Sequence, residues 1–441
     1  MKKILILIIF LSFISCSFDN KTNIWKNDNR FDEKNDIFKE FKKISVIKND
    51  FSEIIQLKEN FVFQLTRVVS NNSWLDIYYG LNNNIENFKY KNRNQLIYKS
   101  KKISNQKINE NLLFDGNNII TNDLNGNIII FSIDENEIVS KFNFYKKKFK
   151  RIKKKINLIV EDNIVFVADN LGYFYSFNYK TNEILWAKNF KTPFGSNLKI
   201  YKNFILVSDQ ENELYVLQKN NGELLKKIPT EKIVIKSHFQ NNISINDNKA
   251  VFFLNSYGTL YSFDINSMNI KWFLNLNKSL DYNPSNLFTG NHIINNNNTV
   301  IISSNHETFL LDAETGFIKK KFNFSSSLSP IINKDYIFFI TKNNFLVSVN
   351  LKNNEILYSS DIDSQVSGYL NSKKKKTFIK DFILMNNNFM IYLNNSFFFE
   401  FGINGKLIDI KKLPTKIYSN PIIINESLIF TDRKNKINII N

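Results

Sequence analysis

A short strand pattern recurs eight times along this chain of 441 residues, and that recurrence constrains the fold more than any other feature. Each copy is a turn residue, an alternating apolar strand, an Asn/Asp-rich turn and a second short strand. The fifth residue after each turn falls at Phe131, Phe177, Leu217, Phe263, Leu311, Val349, Phe401 and Ile440, with steps of 38 to 52 residues and a mean of about 44. A period of that size built from alternation by two predicts blades of four strands arranged as a propeller. Helical repeats of similar length would show a 3.6-residue period instead. Each copy is preceded by another apolar strand, as at Ile164 to Ala168 and Phe204 to Ser208. The seven earlier copies are followed by an outer strand, clearest at Glu183 to Trp186, Asn269 to Trp272 and Glu355 to Tyr358, where an aromatic residue is placed to pack on the next blade. Gly is scarce, at 12, and Asn stands in for it at several turns, being the next most tolerant residue of left-handed backbone.

The eighth copy stops at Asn441 with no outer strand after it. Upstream, Gln95 to Lys99 matches Glu183 to Ala187, so a strand near 95–101 is expected to complete the last blade and close the ring. Closure removes the sheet edges that invite aggregation. The expectation is an all-β, eight-bladed propeller over residues 91–441. Residues 16–90 are expected to be a tether followed by a segment packed on the ring; within them Asp36 to Ile44 has helical spacing and Ile54 to Val69 looks strand-like.

The first residues read as an address. Lys2 and Lys3 precede an apolar run from Ile4 to Ile14, then Ser15, Cys16 and Ser17. A basic start, about a dozen apolar residues and a small residue before the cut make a secretory signal, too short for a comfortable bilayer span of roughly 20 residues. Phe13 to Cys16 resembles a bacterial lipobox, which implies a signal peptide over 1–15, cleavage before Cys16 and its acylation (a palmitate-type anchor). Several acyl chains, at about 0.8 kcal/mol per buried CH₂, would hold the protein on a membrane permanently. Ser17, where an Asp would signal retention, points to the outer membrane by resemblance to the sorting rule. The other reading is an ordinary signal peptide with a chance cysteine. Cys16 is the sole cysteine, so no intrachain disulfide, Cys-based zinc site or iron–sulfur cluster can form.

Charge is strongly biased: 59 Lys+Arg against 41 Asp+Glu give a net +18. The run from Lys146 through Lys155 has eight positive charges in ten residues, and Lys373 to Lys376 adds four. Nucleic acid is the reflex reading of such runs, but an exported chain does not meet it. Anionic lipid head groups are the alternative ligand, at about 1 kcal/mol per basic residue, and a solvated loop is the plainer one. His238, His292 and His306 share no ligand spacing, so no metal site is expected, and no catalytic constellation stands out.

Gly258 to Asp264, followed by Asn269 to Trp272, resembles the repeat of PQQ-like (quinoprotein) propellers. A lipid-anchored, eight-bladed member ending on the third strand of its last blade resembles the BamB family of outer-membrane assembly lipoproteins. The resemblance implies a non-catalytic periplasmic scaffold that binds the barrel-insertion protein and needs no cofactor. It places the partner surface on Ile233, Ile235 and Lys236, where the family has Arg in place of Lys, and on Asp281 in a loop one blade further on. Lys offers a point charge where Arg would offer a bidentate fork, and Ile233 and Ile235 read equally well as strand core. Two other readings stay open: a propeller serving another envelope partner, and a PQQ-dependent dehydrogenase, for which a single cysteine and four Trp leave little to build on.

Overall fold

The computed structural model describes residues 16–19, 24–27, 51–231, 242–279, 288, 290–304, 306–326 and 328–441. Residues 50–441 form one compact unit and residues 1–49 another. In the latter, Cys16–Asp19 pairs with Ile24–Asn27 as a short antiparallel hairpin. The helix expected over Asp36 to Ile44 lies outside the described residues.

The larger unit is an eight-bladed ring of four-stranded antiparallel sheets. Blades 1 to 7 span 113–143, 156–189, 199–228, 243–275, 290–322, 331–361 and 379–412, and the eighth takes three strands from 422–440. In each blade strand A is innermost and strand D outermost. All eight repeat markers lie on strand C, as expected from the period. The closing strand, Leu96–Lys102, pairs antiparallel with Lys436–Ile440, Tyr98 opposite Ile439, so N- and C-terminal parts of the chain share one sheet.

Nearly every strand B and C is buried end to end, because each blade is covered on both faces by its neighbours. The expected aromatic docking is present. Trp186 packs on Gly222 of the next blade, and its indole Nε1 donates to the Lys219 carbonyl at 2.9 Å. Trp272 packs on Gly316 and donates to the Ala313 carbonyl at 3.3 Å; Tyr358 packs on Gly405. The hydroxyl of Tyr98 in the closing strand bonds Asn136 of blade 1. These aromatics all sit on even blades. The same register position on odd blades is Ser140, Lys226, Lys320 or Asp409, so the ring is built of blade pairs.

The A–B and C–D turns define one face of the ring, here the turn face. The B–C turns and the D-to-A connections between blades define the other, the loop face. Gly126, Gly172 and Gly258 hold the B–C turns at φ of 82° to 85°, with Asn212, Asn344 and Asn435 substituting at 57° to 69°.

Residues 54–69 do not form the expected strand. Their backbone makes only isolated bridges, Ile55 with Ser359 and Val69 with Phe88. Their alternation is spent on side chains instead: Phe61, Phe63 and Leu65 pack into the core between blades 6 and 7, with Phe63 4.9 Å from the Tyr336 ring. The chain enters at the loop face, where Asn343 donates to the Phe51 carbonyl at 3.4 Å. It leaves at the turn face, where Thr66 donates to Asn333 at 2.8 Å.

Candidate functional site

Two places on this ring can carry function: its central channel and its loop face.

The channel is closed from the turn face by residues 71–91, which circle it once and bond the innermost strand region of every blade in order. Asn71 accepts from the Asn425 amide of blade 8 at 2.7 Å. Trp74 exchanges two 2.8 Å backbone bonds with Phe114 of blade 1, and the Leu75 carbonyl accepts from Val160 of blade 2 at 3.0 Å. Lys199 of blade 3 donates to Asp76 and to the Gly80 carbonyl, each at 2.6 Å. The carbonyls of Leu81 and Asn82 accept from Ile245 of blade 4 (2.8 Å) and Asn295 of blade 5 (3.2 Å). The Asn83 amide bridges the Ile243 and Ile293 carbonyls, and Asn84 both donates to and accepts from Ile332 of blade 6. Phe88 donates to Leu384 of blade 7 at 3.0 Å, and Lys91 returns to Glu426 of blade 8 at 3.1 Å.

This clasp answers a local need. Innermost strands are the edges of their sheets, and an edge leaves backbone donors and acceptors open. The Asn-rich stretch 82–84 supplies partners without a regular strand. Trp74, Tyr79 and Phe88 form its apolar heart, with ring centroids 4.7 to 5.7 Å apart. Lys199 is fully buried, and desolvation holds its ammonium below the usual lysine range despite Asp76.

Above the clasp lies a cavity of about 150 Å³, bordered by Trp74, Tyr78, Asn111, His292, Lys380 and Asp381. Asp381 keeps some surface toward it, but its burial in the channel pushes the carboxyl up to about 7. Lys380 pairs with Glu110 at 3.2 Å. The resemblance to quinoprotein repeats implies a tricyclic quinone with a calcium ion, and these residues do not fit them. Ligand pockets usually run ≈ 300–1,000 Å³; among the described residues Asp381 is the only carboxylate bordering this cavity, and no three His, Cys, Asp or Glu converge as a metal site.

Ile233, Ile235, Lys236 and Asp281 lie outside the described residues, as does the segment around each. Their flanks are placed. Glu231 donates its amide to the Tyr261 hydroxyl at 3.1 Å and accepts from Thr259 at 2.6 Å. Phe288 donates to the Ser256 carbonyl at 2.8 Å and packs on Gly258. The residue before the first segment and the residue after the second thus meet on residues 255–261 of blade 4, one B–C turn and the start of the strand that follows it.

Residues 146–155, the connection from blade 1 to blade 2, form an ordered platform around one 3₁₀ turn, Lys147–Phe149. Lys154 is buried, against the expectation of a uniformly solvated run. Its ammonium donates to the Phe149 carbonyl at 2.5 Å and lies 5.0 Å from the Tyr145 ring centroid. Tyr145 in turn donates to Asp169 at 2.6 Å, and burial with that carboxylate pushes the phenol up. Lys146, Lys147, Lys150 and Arg151 point to solvent.

Sequence reasoning missed the clasp and the buried lysines; no periodicity marks residues 71–91, and the run Asn82 to Asn84 is the one signal that could have pointed to a backbone-bonding role.

The family model described as outer membrane protein assembly factor BamB matches residues 124–360. No curated protein matches the sequence. Among solved structures, BamB from Moraxella catarrhalis aligns with a TM-score of 0.60 at 11% identity, covering 79% of this chain and 99% of its own. The computationally designed Ika8 protein aligns at 0.59 and 13% identity, covering 78% and 99%. A europium-containing methanol dehydrogenase aligns at 0.59 and 10% identity, covering 83% and 89%. At these identities the structural likeness is one of fold.

Proposed function

The chain belongs to the family of the outer membrane protein assembly factor BamB, and on that premise we propose that it is a non-catalytic scaffold of the machinery that assembles β-barrels in the outer membrane. It is anchored through acylated Cys16 on the periplasmic side, and its partner is the barrel-insertion protein. The partner surface is the loop face around blades 3 to 5, with Ile233 and Ile235 as apolar anchors and Lys236 and Asp281 as charged contacts. A scaffold needs such anchors ringed by polar groups and no reactive constellation.

The observation that carries this reading is the convergence of Glu231 and Phe288 on residues 255–261 of blade 4. It supports two loops, one blade apart, presenting to a single partner. The filled channel supports scaffold over dehydrogenase: the clasp occupies its width at the turn face, and the cavity left above it is small and poor in ligating groups.

Paired reversal, Lys236→Glu with Asp281→Lys, is expected to abolish co-purification with the barrel-insertion protein while the melting temperature stays within a few degrees. Normal co-purification by a folded double variant would overturn the partner surface. Separately, Cys16→Ala is expected to release the protein from membrane fractions or leave it unprocessed; normal processing with full retention would overturn the anchor.

A further inference from the structure

The cationic residues of the loop face are not scattered. The platform 146–155 presents Lys146, Lys147, Lys150 and Arg151 to solvent, and among the described residues none of the four is in an ion pair. Beside it, between blades 8 and 1, lies a groove of about 410 Å³ lined by Lys102, Lys107, Arg433, Lys434, two asparagines and Tyr418, with no carboxylate. Lys107 is 5.4 Å from the Tyr418 ring centroid. The groove and the platform are joined by backbone: Leu124 donates to the Lys107 carbonyl at 3.0 Å, and Lys154 donates to the Leu124 carbonyl at 2.9 Å. They therefore form one rigid arc over blades 8, 1 and 2. The buried ammonium of Lys154, held by Phe149 and Tyr145, fixes the platform from below.

We propose that this arc docks on the anionic surface of the bilayer in which the protein is anchored. The proposal rests on the lipid-anchor reading for its setting, and three observations favour a bilayer over a protein ligand. A groove lined by four cations and no carboxylate, beside the four exposed cations of the platform, suits a continuous anionic surface, and clusters of Lys and Arg bind such surfaces at about 1 kcal/mol per residue. The chain enters the ring on this same face, at Phe51, whose ring lies 5.1 Å from Phe324 and 5.7 Å from Phe345. Cys16 is 35 residues upstream of Phe51, a covalent reach of up to roughly 120 Å, so the anchor holds the arc at high effective concentration near its surface. The arc is on blades 8 to 2 and the partner loops are on blades 3 to 5, so both contacts can form at once.

The test uses residues 50–441, a unit whose cores, clasp and closing strand are all internal, without the apolar signal or the anchor. Vesicles of neutral phosphatidylcholine, alone or with a quarter phosphatidylglycerol, are sedimented with it at low and high salt. The expected result is binding to anionic vesicles only, released at 0.5 M salt. Replacing Lys146, Lys147, Lys150 and Arg151 by Gln is expected to weaken it about fivefold per charge. A control variant removes four exposed charges from the turn face, Lys180, Lys202, Lys249 and Lys334, each replaced by Gln. It is expected to bind within twofold of the parent. No binding by the parent, binding that resists salt, or equal loss in both variants would overturn the proposal, the last by reducing the effect to net charge. Since no anchor is present, none of these results depends on whether Cys16 is acylated.

Discussion

The ion pair between Lys199 and Asp76 locks the clasp to blade 3, and its removal has a calculable cost. The side chains are 0% and 7% exposed, with 2.6 Å between ammonium and carboxylate, and Lys199 also satisfies the Gly80 carbonyl. Breaking a buried pair by removing one partner costs about 3–5 kcal/mol, because the other charge is left uncompensated. In Lys199→Met, Asp76 keeps only the Tyr78 amide, at 2.9 Å. Unfolding entropy for about 390 residues is ~0.8 kcal/mol/K, so the melting temperature should fall by about 4–6 °C. Burial already holds the Lys199 ammonium below its usual range, which means that desolvation outweighs the attraction. Replacing the whole pair, Lys199→Met with Asp76→Leu, should therefore recover to within about 2 kcal/mol of the parent. Calorimetry gives the three melting temperatures, and limited proteolysis reports whether residues 71–91 become cleavable. If Lys199→Met melts within 1 °C of the parent with its clasp still protected, the pair does not hold the clasp. If the double variant melts as low as Lys199→Met, the pair is net stabilising and the desolvation argument fails.

Asp381 sets a pH dependence. Its folded value of about 7 lies above that of an unfolded carboxyl, so the folded protein retains a proton the unfolded chain loses. Stability should fall as pH rises from about 4 to about 7, by up to about 4 kcal/mol, and level off above. Asp381→Asn should then melt about 5 °C higher than the parent at pH 8 and much closer to it at pH 5; an equal difference at both would refute the assignment. Gly222→Ala adds a Cβ 2.4 Å from the Trp186 ring at a φ of +67°, whereas Gly116→Ala, at +50°, meets nothing within 4 Å. The first should cost about 3 kcal/mol and the second about 1 kcal/mol, so equal costs by urea unfolding would show that Trp186 does not depend on the close approach. Deleting residues 435–441 should be severely destabilising although termini usually tolerate loss, because Lys436–Ile440 pairs with strands on both sides; an unchanged melting temperature would contradict ring closure.

The ring was legible because its signal is repeated. Period-two alternation at a 44-residue spacing places Phe131, Phe177 and their successors on strand C, and the unpaired end at Asn441 locates the closing strand to within a residue or two. Trp186 and Trp272 could be assigned to the next blade because an outer strand has nothing else to cover. The clasp was not legible, since its residues are specified by the open backbone of eight strands distant in sequence. Ile54 to Val69 misled for a related reason: Phe61, Phe63 and Leu65 alternate as a strand would, but they fill a cleft between two finished blades. Lys154 and Lys199 look in sequence like any other lysine, and only tertiary placement separates them from those that face solvent. Lys236 and Asp281 were drawn from a family likeness and not from a local physical signal, and only the flanks of their segments bear on them.

The clasp also changes what holds the ring together. In a propeller each blade touches its two neighbours, so a ring without disulfides relies on a single closing sheet. Here the closing strand begins five residues after the clasp ends, and both belong to the same N-terminal segment. Blade 8 needs residues 436–440, the last strand of the chain, before Leu96–Lys102 has a partner. The clasp needs all eight innermost strands before it can complete its circuit. Each closure is therefore available only on a finished ring, and each links blades far apart in sequence. An opening at any one interface must break the register of residues 71–91 with the blades on both sides of it. The ring should accordingly unfold as one cooperative unit, in contrast to linear repeat arrays, where stability is a sum of neighbour terms and ends fray.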